Sequence, residues 1–135
     1  RQYPGRIAVR LCFDPALASR VYAGCDMYLM PSKSEPCGLS QLIAMHYGTV
    51  PIVASTGGLR DTVPPYNPET GEGRGFTFQS YNADDFLASI DRALALYYDA
   101  PEQFAALAQQ DMLVDSSWTL PAREYMQLYQ SVCGG

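Results

Sequence analysis

The sequence has little charge, a single histidine and no long apolar run. Charged residues make up 17% of its 135 residues, against roughly 25% in an average globular domain. The 9 Lys and Arg are outnumbered by 14 Asp and Glu, which leaves a formal net charge of −5. Nucleic acids and anionic membranes attract a surplus of positive charge, so we expect neither as a partner. No apolar run approaches the roughly 20 residues that span a bilayer.

Patterns typical of metal sites and disulfide frameworks are also missing. The cysteines Cys12, Cys25, Cys37 and Cys133 include no Cys-x-x-Cys pair, and His46 is not at ligand spacing from any of them. No metal site is therefore expected. A chain of this length can bury a core without cross-links, which favours a reducing, cytoplasmic setting. Cys12 and Cys25 lie among apolar residues and are predicted to be small core side chains.

The two ends suggest a part of a longer protein. The opening Arg1-Gln2-Tyr3-Pro4-Gly5 shows neither an initiator methionine nor a signal-peptide pattern. The length predicts one compact domain. The low charge fits a domain that packs against another and so leaves less surface to solvate.

The first half alternates short apolar runs with helical patterns. In chain order it predicts a strand at 7–11, a helix from Pro15 to about Gly24 capped by Asp14, a strand at 27–30, a helix at 38–47 and a strand at 50–54. Strands and helices that alternate at this spacing form right-handed βαβ units. We therefore predict an α/β fold, a Rossmann-like parallel sheet with flanking helices.

The second half predicts one more strand and then helices. A short helical turn ends near Val63, a surface loop with three prolines and three glycines covers 64–75, and an edge strand follows at 75–78. The remainder, about 82–131, is predicted to be helical, with Asn82 as the first N-cap.

Apolar spacing assigns the faces of the helices. The predicted inward faces are Leu39, Leu42, Ile43 and Met45 in the helix at 38–47, and Phe86, Leu87, Ile90, Leu94, Tyr97 and Tyr98 in the helix after Asn82. The last helix carries Trp118, Ala122, Tyr125, Met126 and Tyr129 on one side.

The densest chemistry lies in residues 31–41, between a parallel strand and the helix that follows it. In open α/β sheets ligands bind beyond the carboxyl ends of the strands. Gly38, Leu39 and Ser40 would present backbone N–H groups to a phosphate there, and the Ser40 hydroxyl adds a donor. Glu35 would repel phosphate, so we expect it to face a neighbouring polyol. Alternatively, Ser34 and Glu35 merely cap the helix.

A second glycine-containing loop follows the next strand, in Ser55-Thr56-Gly57-Gly58-Leu59. Two glycines at the end of a strand permit either a tight turn or the close approach of a ligand. Because both loops are expected at the same edge of the sheet, together they would line one crevice.

Three segments resemble a family signature. Residues 34–41 (Ser-Glu-Pro-Cys-Gly-Leu-Ser-Gln), 47–51 (Tyr-Gly-Thr-Val-Pro) and 56–63 (Thr-Gly-Gly-Leu-Arg-Asp-Thr-Val) are similar to those of bacterial glycogen synthases and plant starch synthases. Tyr3-Pro4-Gly5 and Ser117-Trp118 extend the resemblance, which covers nearly the whole chain but only about the last third of such an enzyme.

The resemblance implies a GT-B glycosyltransferase, of which residues 1–135 would be most of the C-terminal nucleotide-sugar domain. Such enzymes transfer glucose from ADP-glucose to the non-reducing end of an α-1,4-glucan with retention of configuration. They need no metal and no cofactor. The implied partners are ADP-glucose or ADP, the glucan and an N-terminal domain, and the implied compartment is the cytoplasm, or the plastid in a plant.

The resemblance also implies roles for single residues. Glu35 falls on the catalytic acidic residue beside the donor glucose, whereas Phe13 falls on an aromatic residue stacked on adenine. The diphosphate and sugar are assigned to Gly38, Leu39, Ser40, Thr56, Gly57 and Gly58. Phe13 is alternatively a core side chain. The chain departs from the family at Lys33-Ser34 and in having Ser40 for a common threonine.

Three alternatives stay open. The enzyme could use UDP-glucose, the chain could be a noncatalytic nucleotide- or carbohydrate-binding module, or its loops could be purely structural. We expect no transferase turnover from these residues alone, and weak ADP binding. The final helix of GT-B enzymes crosses to the other domain, so self-association through residues 117–131 is a hypothesis.

Overall fold

The computed structural model describes residues 3–133, which form three strands and six helices. The elements are α1 (Pro15–Gly24), β1 (Met27–Met30), α2 (Ser40–His46), β2 (Val50–Ala54), α3 (Gly57–Thr62), β3 (Phe76–Phe78), α4 (Ala83–Asp99), α5 (Pro101–Met112) and α6 (Thr119–Cys133). The predicted helical C-terminal part is confirmed. None of the helices in this described part is long and apolar enough to cross a membrane.

The strands form a parallel sheet in the order β1-β2-β3. Met27 pairs with Val50 and Ile52 pairs with Phe76. All five residues of β2 are buried, as expected of a central parallel strand that is covered on both faces. The predicted parallel α/β sheet with flanking helices is therefore confirmed.

Alternate residues of β2 supply two cores, because successive side chains of a strand point to opposite faces. On one face, Val50 and Ile52 pack with Phe76 and with residues of α4 and α5, namely Ala93, Leu96, Phe104 and Leu107. On the other face, Val53 packs with Met45, Leu59 and Val63 of the α2–α3 side. Full burial of one such aliphatic side chain stabilises the fold by about 1.5–3 kcal/mol.

The predicted helix boundaries depend on local polar groups. The carboxylate of Asp14 accepts from the N–H of Leu17 at 3.0 Å, and the Asn82 side chain accepts from the N–H of Asp85 at 2.8 Å. Both capping predictions are confirmed. Gly48 has φ of 80° after α2, a left-handed conformation that favours glycine and ends the helix.

The strand predicted at 7–11 is wrong. This segment has no regular structure, and Ile7, Val9 and Leu11 are exposed. No strand within residues 3–133 pairs with it, and an unpaired strand is not stable in water. Cys12 and Cys25 are likewise exposed rather than core residues, because no helix or sheet face in the described part covers their side chains.

The predicted inward faces of α2 and α4 are partly wrong. Leu39 and Ile43 are exposed on α2, as are Leu87, Leu94 and Tyr98 on α4. The buried positions are Gln41, Ala44 and Met45 on α2, and Ser89, Ala93 and Leu96 on α4. The buried positions are offset from the apolar stripe on each helix, so Leu42 of α2 and Phe86, Ile90 and Tyr97 of α4 pack only partly buried against the cores, and the other apolar residues lie beyond the contact. The hydrophobicity pattern alone does not show this.

The apolar side of α6 is exposed. Trp118, Tyr125, Met126 and Tyr129 are each more than half exposed, and α6 has no buried residue. The exposure fits the expectation for the final helix, and self-association through it stays a prediction.

Candidate functional site

The candidate site consists of two loops at the carboxyl edge of the sheet. The first loop, residues 31–39, leaves β1 and leads into α2, whereas the second loop, residues 55–58, leaves β2 and enters α3. Because β1 and β2 are parallel neighbours, both loops emerge at the same edge, which is where open α/β sheets bind ligands.

The two loops are in direct backbone contact through Gly57 and Gly58. A Cβ atom at Gly57 would overlap the carbonyl oxygen of Glu35, and one at Gly58 would overlap that of Cys37. The N–H of Gly58 donates to the carbonyls of Glu35, at 3.1 Å, and Pro36, at 3.2 Å. The glycines therefore hold the loops together, and the Gly58 N–H is engaged by the protein rather than free for a ligand.

Glu35 is half-buried in the first loop. The N-cap of α2 is Leu39, and no side chain makes a capping hydrogen bond there. The interpretation of Ser34 and Glu35 as helix caps is therefore wrong. The Glu35 backbone fixes the second loop, while its carboxylate takes no part in that contact.

The start of α2 presents backbone donors next to Glu35. Gly38 has φ of 77°, a left-handed turn that directs the chain into the helix. Within residues 3–133 the N–H groups of Leu39 and Ser40 donate to no backbone carbonyl. These two donors therefore remain available at the sheet edge.

The side chain of Ser40 lies beside Tyr28 of β1. Burial raises the pKa of the Tyr28 hydroxyl, and a hydrogen bond with the Ser40 side chain opposes the rise. The phenol therefore stays protonated at neutral pH. The Ser40 hydroxyl, expected as a phosphate donor, thus has a neutral polar neighbour inside the protein.

Thr56 and Phe13 are placed differently by the structure. Thr56 is the half-buried N-cap of α3, and its side chain makes no capping hydrogen bond. Phe13 is 96% exposed, so its interpretation as a core side chain is wrong. No hydrogen bond or aromatic pair among residues 3–133 joins Phe13 to either loop, and its ring faces are open.

Three polar side chains near the loops were given no role from the sequence. Gln41 is fully buried behind Gly38. Arg60 donates to the Ser55 carbonyl at 3.1 Å, and the Tyr81 hydroxyl donates to the Pro31 carbonyl at 3.0 Å. Gln41 and Arg60 lie within the segments that resemble the glycogen and starch synthase signature, and that position is the only indication of a role that the sequence gives. Tyr81 is fifty positions from Pro31 along the chain, so no local pattern indicates its contact.

Two cavities lie beside the loops rather than between them. One of about 300 Å³ is lined by Pro31, Phe78, Tyr81, Asn82, Ala83 and Phe86. The other, of about 580 Å³, lies between α2 and residues 111–117 and includes Asp111 in its lining. Among residues 3–133 no group of three His, Cys, Asp or Glu side chains is placed to hold a metal ion.

Residues 14–111 match the family of group 1 glycosyl transferases. The match spans most of the chain, and the chain therefore belongs to this family.

Within the family, the chain is similar to glycogen synthases. It is 50% identical over 130 residues to the glycogen synthase of Caldicellulosiruptor bescii, and 51% identical over 131 residues to that of Bacillus cereus. These alignments cover 96% and 97% of the chain but 27% of each relative. The chain thus spans about a quarter of the length of these relatives.

Solved structures show the same likeness. The catalytic domain of starch synthase IV from Arabidopsis thaliana, bound to ADP and acarbose, superimposes with a TM-score of 0.85 at 38% identity, over 96% of this chain and 27% of that one. A sucrose-phosphate synthase from Thermosynechococcus elongatus gives a TM-score of 0.68 at 24% identity, over 97% of this chain and 31% of that one, and shows the fold alone. The resemblance to glycogen and starch synthases and the fold class are confirmed.

Proposed function

We propose that this chain belongs to a retaining glucosyltransferase that moves glucose from ADP-glucose to the non-reducing end of an α-1,4-glucan. Its first and second loops, residues 31–39 and 55–58, would form the donor wall, the side of the substrate cleft that binds ADP-glucose. The observation that carries the proposal is the backbone contact between the first and second loops, at the carboxyl edge of the sheet in a group 1 glycosyl transferase. The similarity to glycogen synthases, and to a starch synthase bound to ADP and acarbose, supports these substrate classes.

The diphosphate would bind where the first loop enters α2. The N–H groups of Leu39 and Ser40 lack backbone acceptors in the described part, and Gly38 leaves room for close approach. Arg60, anchored on the Ser55 carbonyl, adds positive charge at the same edge. This arrangement would allow an acidic protein to hold a phosphate ligand without a surplus of Lys and Arg.

Glu35 would act on the donor glucose. We propose that its carboxylate accepts hydrogen bonds from sugar hydroxyls and stabilises the positive charge of an oxocarbenium-like transition state. The bond from C1 to the diphosphate oxygen breaks, and a bond from C1 to the acceptor hydroxyl oxygen forms on the same face. The acceptor proton passes to the departing diphosphate oxygen, so no metal or cofactor is required.

The remaining residues would complete the wall. Phe13, whose ring is exposed, would stack on adenine, because an aromatic face suffices for stacking. Thr56 would meet the sugar or the diphosphate from the second loop, alongside the glycine backbone.

The other wall of the cleft would come from an N-terminal domain, with residues 1–135 as most of the C-terminal one. The exposed side of α6 would face that domain or, in the isolated chain, a second copy. A cytoplasmic or plastid setting is supported by the free thiols of all four cysteines.

Replacing Glu35 in the full-length enzyme tests the catalytic part of the proposal. Glu35→Gln should lower kcat by about a hundredfold or more, since it removes the negative charge that stabilises the oxocarbenium-like transition state. Glu69→Gln, in an exposed loop, should leave the rate unchanged. Activity of Glu35→Gln within tenfold of wild type would contradict the role, and a trapped covalent glucosyl adduct would contradict the ion-pair mechanism.

The donor and the need for both walls can be tested separately. ADP-glucose should be used in preference to UDP-glucose, and ADP should compete better than UDP. The isolated 135-residue chain should bind ADP weakly and transfer no glucose. Glucan elongation by the isolated chain would contradict the two-wall arrangement, whereas ADP binding without transfer by the full-length protein would indicate a noncatalytic module.

A further inference from the structure

Gln41 is a polar side chain in an apolar position. It lies on α2 with 0% exposure, beside Ala44 and Met45, which are also buried. Its amide nitrogen, whose two N–H groups are shared among three acceptors, reaches the carbonyls of Cys37, at 3.3 Å, and Gly38, at 3.0 Å, both in the first loop.

The same nitrogen also reaches α3, the helix that follows the second loop. It lies 3.1 Å from the hydroxyl oxygen of Thr62, near the end of α3. The Thr62 hydroxyl is 2.7 Å from the carbonyl of Gly58. A carbonyl can only accept, so Thr62 gives its proton to Gly58 and must accept from Gln41. The polar chain from Gln41 to Gly58 therefore has one direction and needs an amide at its start.

These contacts close a ring with the backbone bond between the loops. Gln41 holds Cys37 and Gly38, Thr62 holds Gly58, and the N–H of Gly58 returns to the carbonyl of Glu35. We propose that Gln41 is a positioning residue of the donor site, which sets the separation of the two loops through Thr62. This role rests on the function proposed above. Gln41 acts on the backbone of Glu35 rather than on the substrate.

The other end of the Gln41 amide distinguishes positioning from simple packing. Its oxygen is buried and has no hydrogen-bond partner among residues 3–133. A buried acceptor without a partner destabilises the folded state, and an apolar side chain of similar shape removes that cost. Gln41→Met therefore loses the link between the loops while the fold keeps most of its stability. If Gln41 served only to pack, Gln41→Met would leave both the stability and the contact between the loops unchanged.

Gln41→Met and Thr62→Val in the full-length protein test this role, with Thr62→Ser as the matched control that keeps the hydroxyl. Without ligand, hydrogen exchange of segment 35–40 and of the Gly58 amide should accelerate about tenfold in the first two variants, as expected for the loss of one hydrogen bond. The Kd for ADP should rise by about tenfold in each, and Thr62→Ser should stay within twofold of wild type. The double variant should be no worse than either single variant, because both break the same link.

The outcomes separate the role of Gln41 from the function of the site. Wild-type protein that binds no ADP would contradict the proposed function, while the exchange rates would still show whether the link holds the loops. Folded Gln41→Met and Thr62→Val that bind ADP within twofold of wild type would overturn the positioning role. Additive losses in the double variant would overturn the single polar chain. If Gln41→Met fails to fold, Thr62→Val and Thr62→Ser decide the question between them.

Discussion

Asp111 should make the protein less stable as the pH rises. Its side chain on α5 is 1% exposed, and both carboxylate oxygens lack a hydrogen-bond partner in the described part of the chain. Burial raises the pKa of this carboxyl to about 7, although the positive charge of Arg74 opposes the rise. In the unfolded chain the pKa returns to about 3.9.

The sign follows from proton linkage. Between about pH 4 and 7 the folded state holds a proton on Asp111 that the unfolded state has lost, so stability falls with rising pH. Below this window both states are protonated, and above it both are ionised. A pKa of about 7 in the folded state against about 3.9 in the unfolded chain corresponds to a loss of roughly 4 kcal/mol of stability across the whole pH window. That is a large share of the 5–15 kcal/mol that stabilises a typical domain.

Urea unfolding of Asp111→Asn against wild type at pH 5 and pH 8 measures the effect. Asn cannot ionise, so only the wild type should lose stability as the pH rises. The free energy of unfolding of Asp111→Asn relative to wild type should therefore increase by about 3 kcal/mol from pH 5 to pH 8. Asp91→Asn, at an exposed position of α4, should show no such change. A difference between Asp111→Asn and wild type that stays constant from pH 5 to pH 8 would refute a neutral, buried Asp111.

Three further substitutions test the loops, the adenine contact and a helix cap. Gly58→Ala should destabilise the fold by more than about 1 kcal/mol and weaken ADP binding, because its Cβ would overlap the Cys37 carbonyl. A Cβ at Gly24 would meet no atom within 4 Å, so the control Gly24→Ala should be neutral. Equal unfolding midpoints for Gly58→Ala and wild type would exclude the overlap. Phe13→Ala should raise the Kd for ADP, measured by calorimetry, by about three- to tenfold, while Phe13→Tyr leaves the Kd unchanged. An unchanged Kd for Phe13→Ala would show that Phe13 does not contact the nucleotide. Asn82→Ala should cost about 1 kcal/mol in urea unfolding, because the N–H of Asp85 loses its acceptor; an unchanged midpoint would argue against the cap.

The elements whose cause is local could be predicted from the sequence. The five-residue apolar run of β2, the Asp14 and Asn82 caps and the left-handed Gly48 each depend on neighbours in the chain. The site segments were found in the same way, because glycines and a carboxylate follow predicted strands. Their order along a parallel sheet then placed both loops at one edge.

The features that depend on tertiary contacts could not be predicted. A strand at 7–11 has the right composition but no partner in the described part, and Leu39 has an apolar side chain but no neighbour to cover it. Ser89 and Ala93 are buried although one is polar and both are small, which a hydrophobicity pattern does not predict. The contacts of Gln41 with Thr62 and of Tyr81 with Pro31 join residues 21 and 50 positions apart, beyond the reach of helical or strand periodicity.

Hydrogen exchange of the full-length enzyme with and without ADP tests most directly whether the two loops form a nucleotide-sugar site. We expect ADP to slow exchange in residues 35–42, where the N–H groups of Leu39 and Ser40 lack backbone acceptors within residues 3–133, and in the second loop around Thr56. Protection by ADP that leaves both loops unchanged and appears elsewhere in the protein would contradict this expectation.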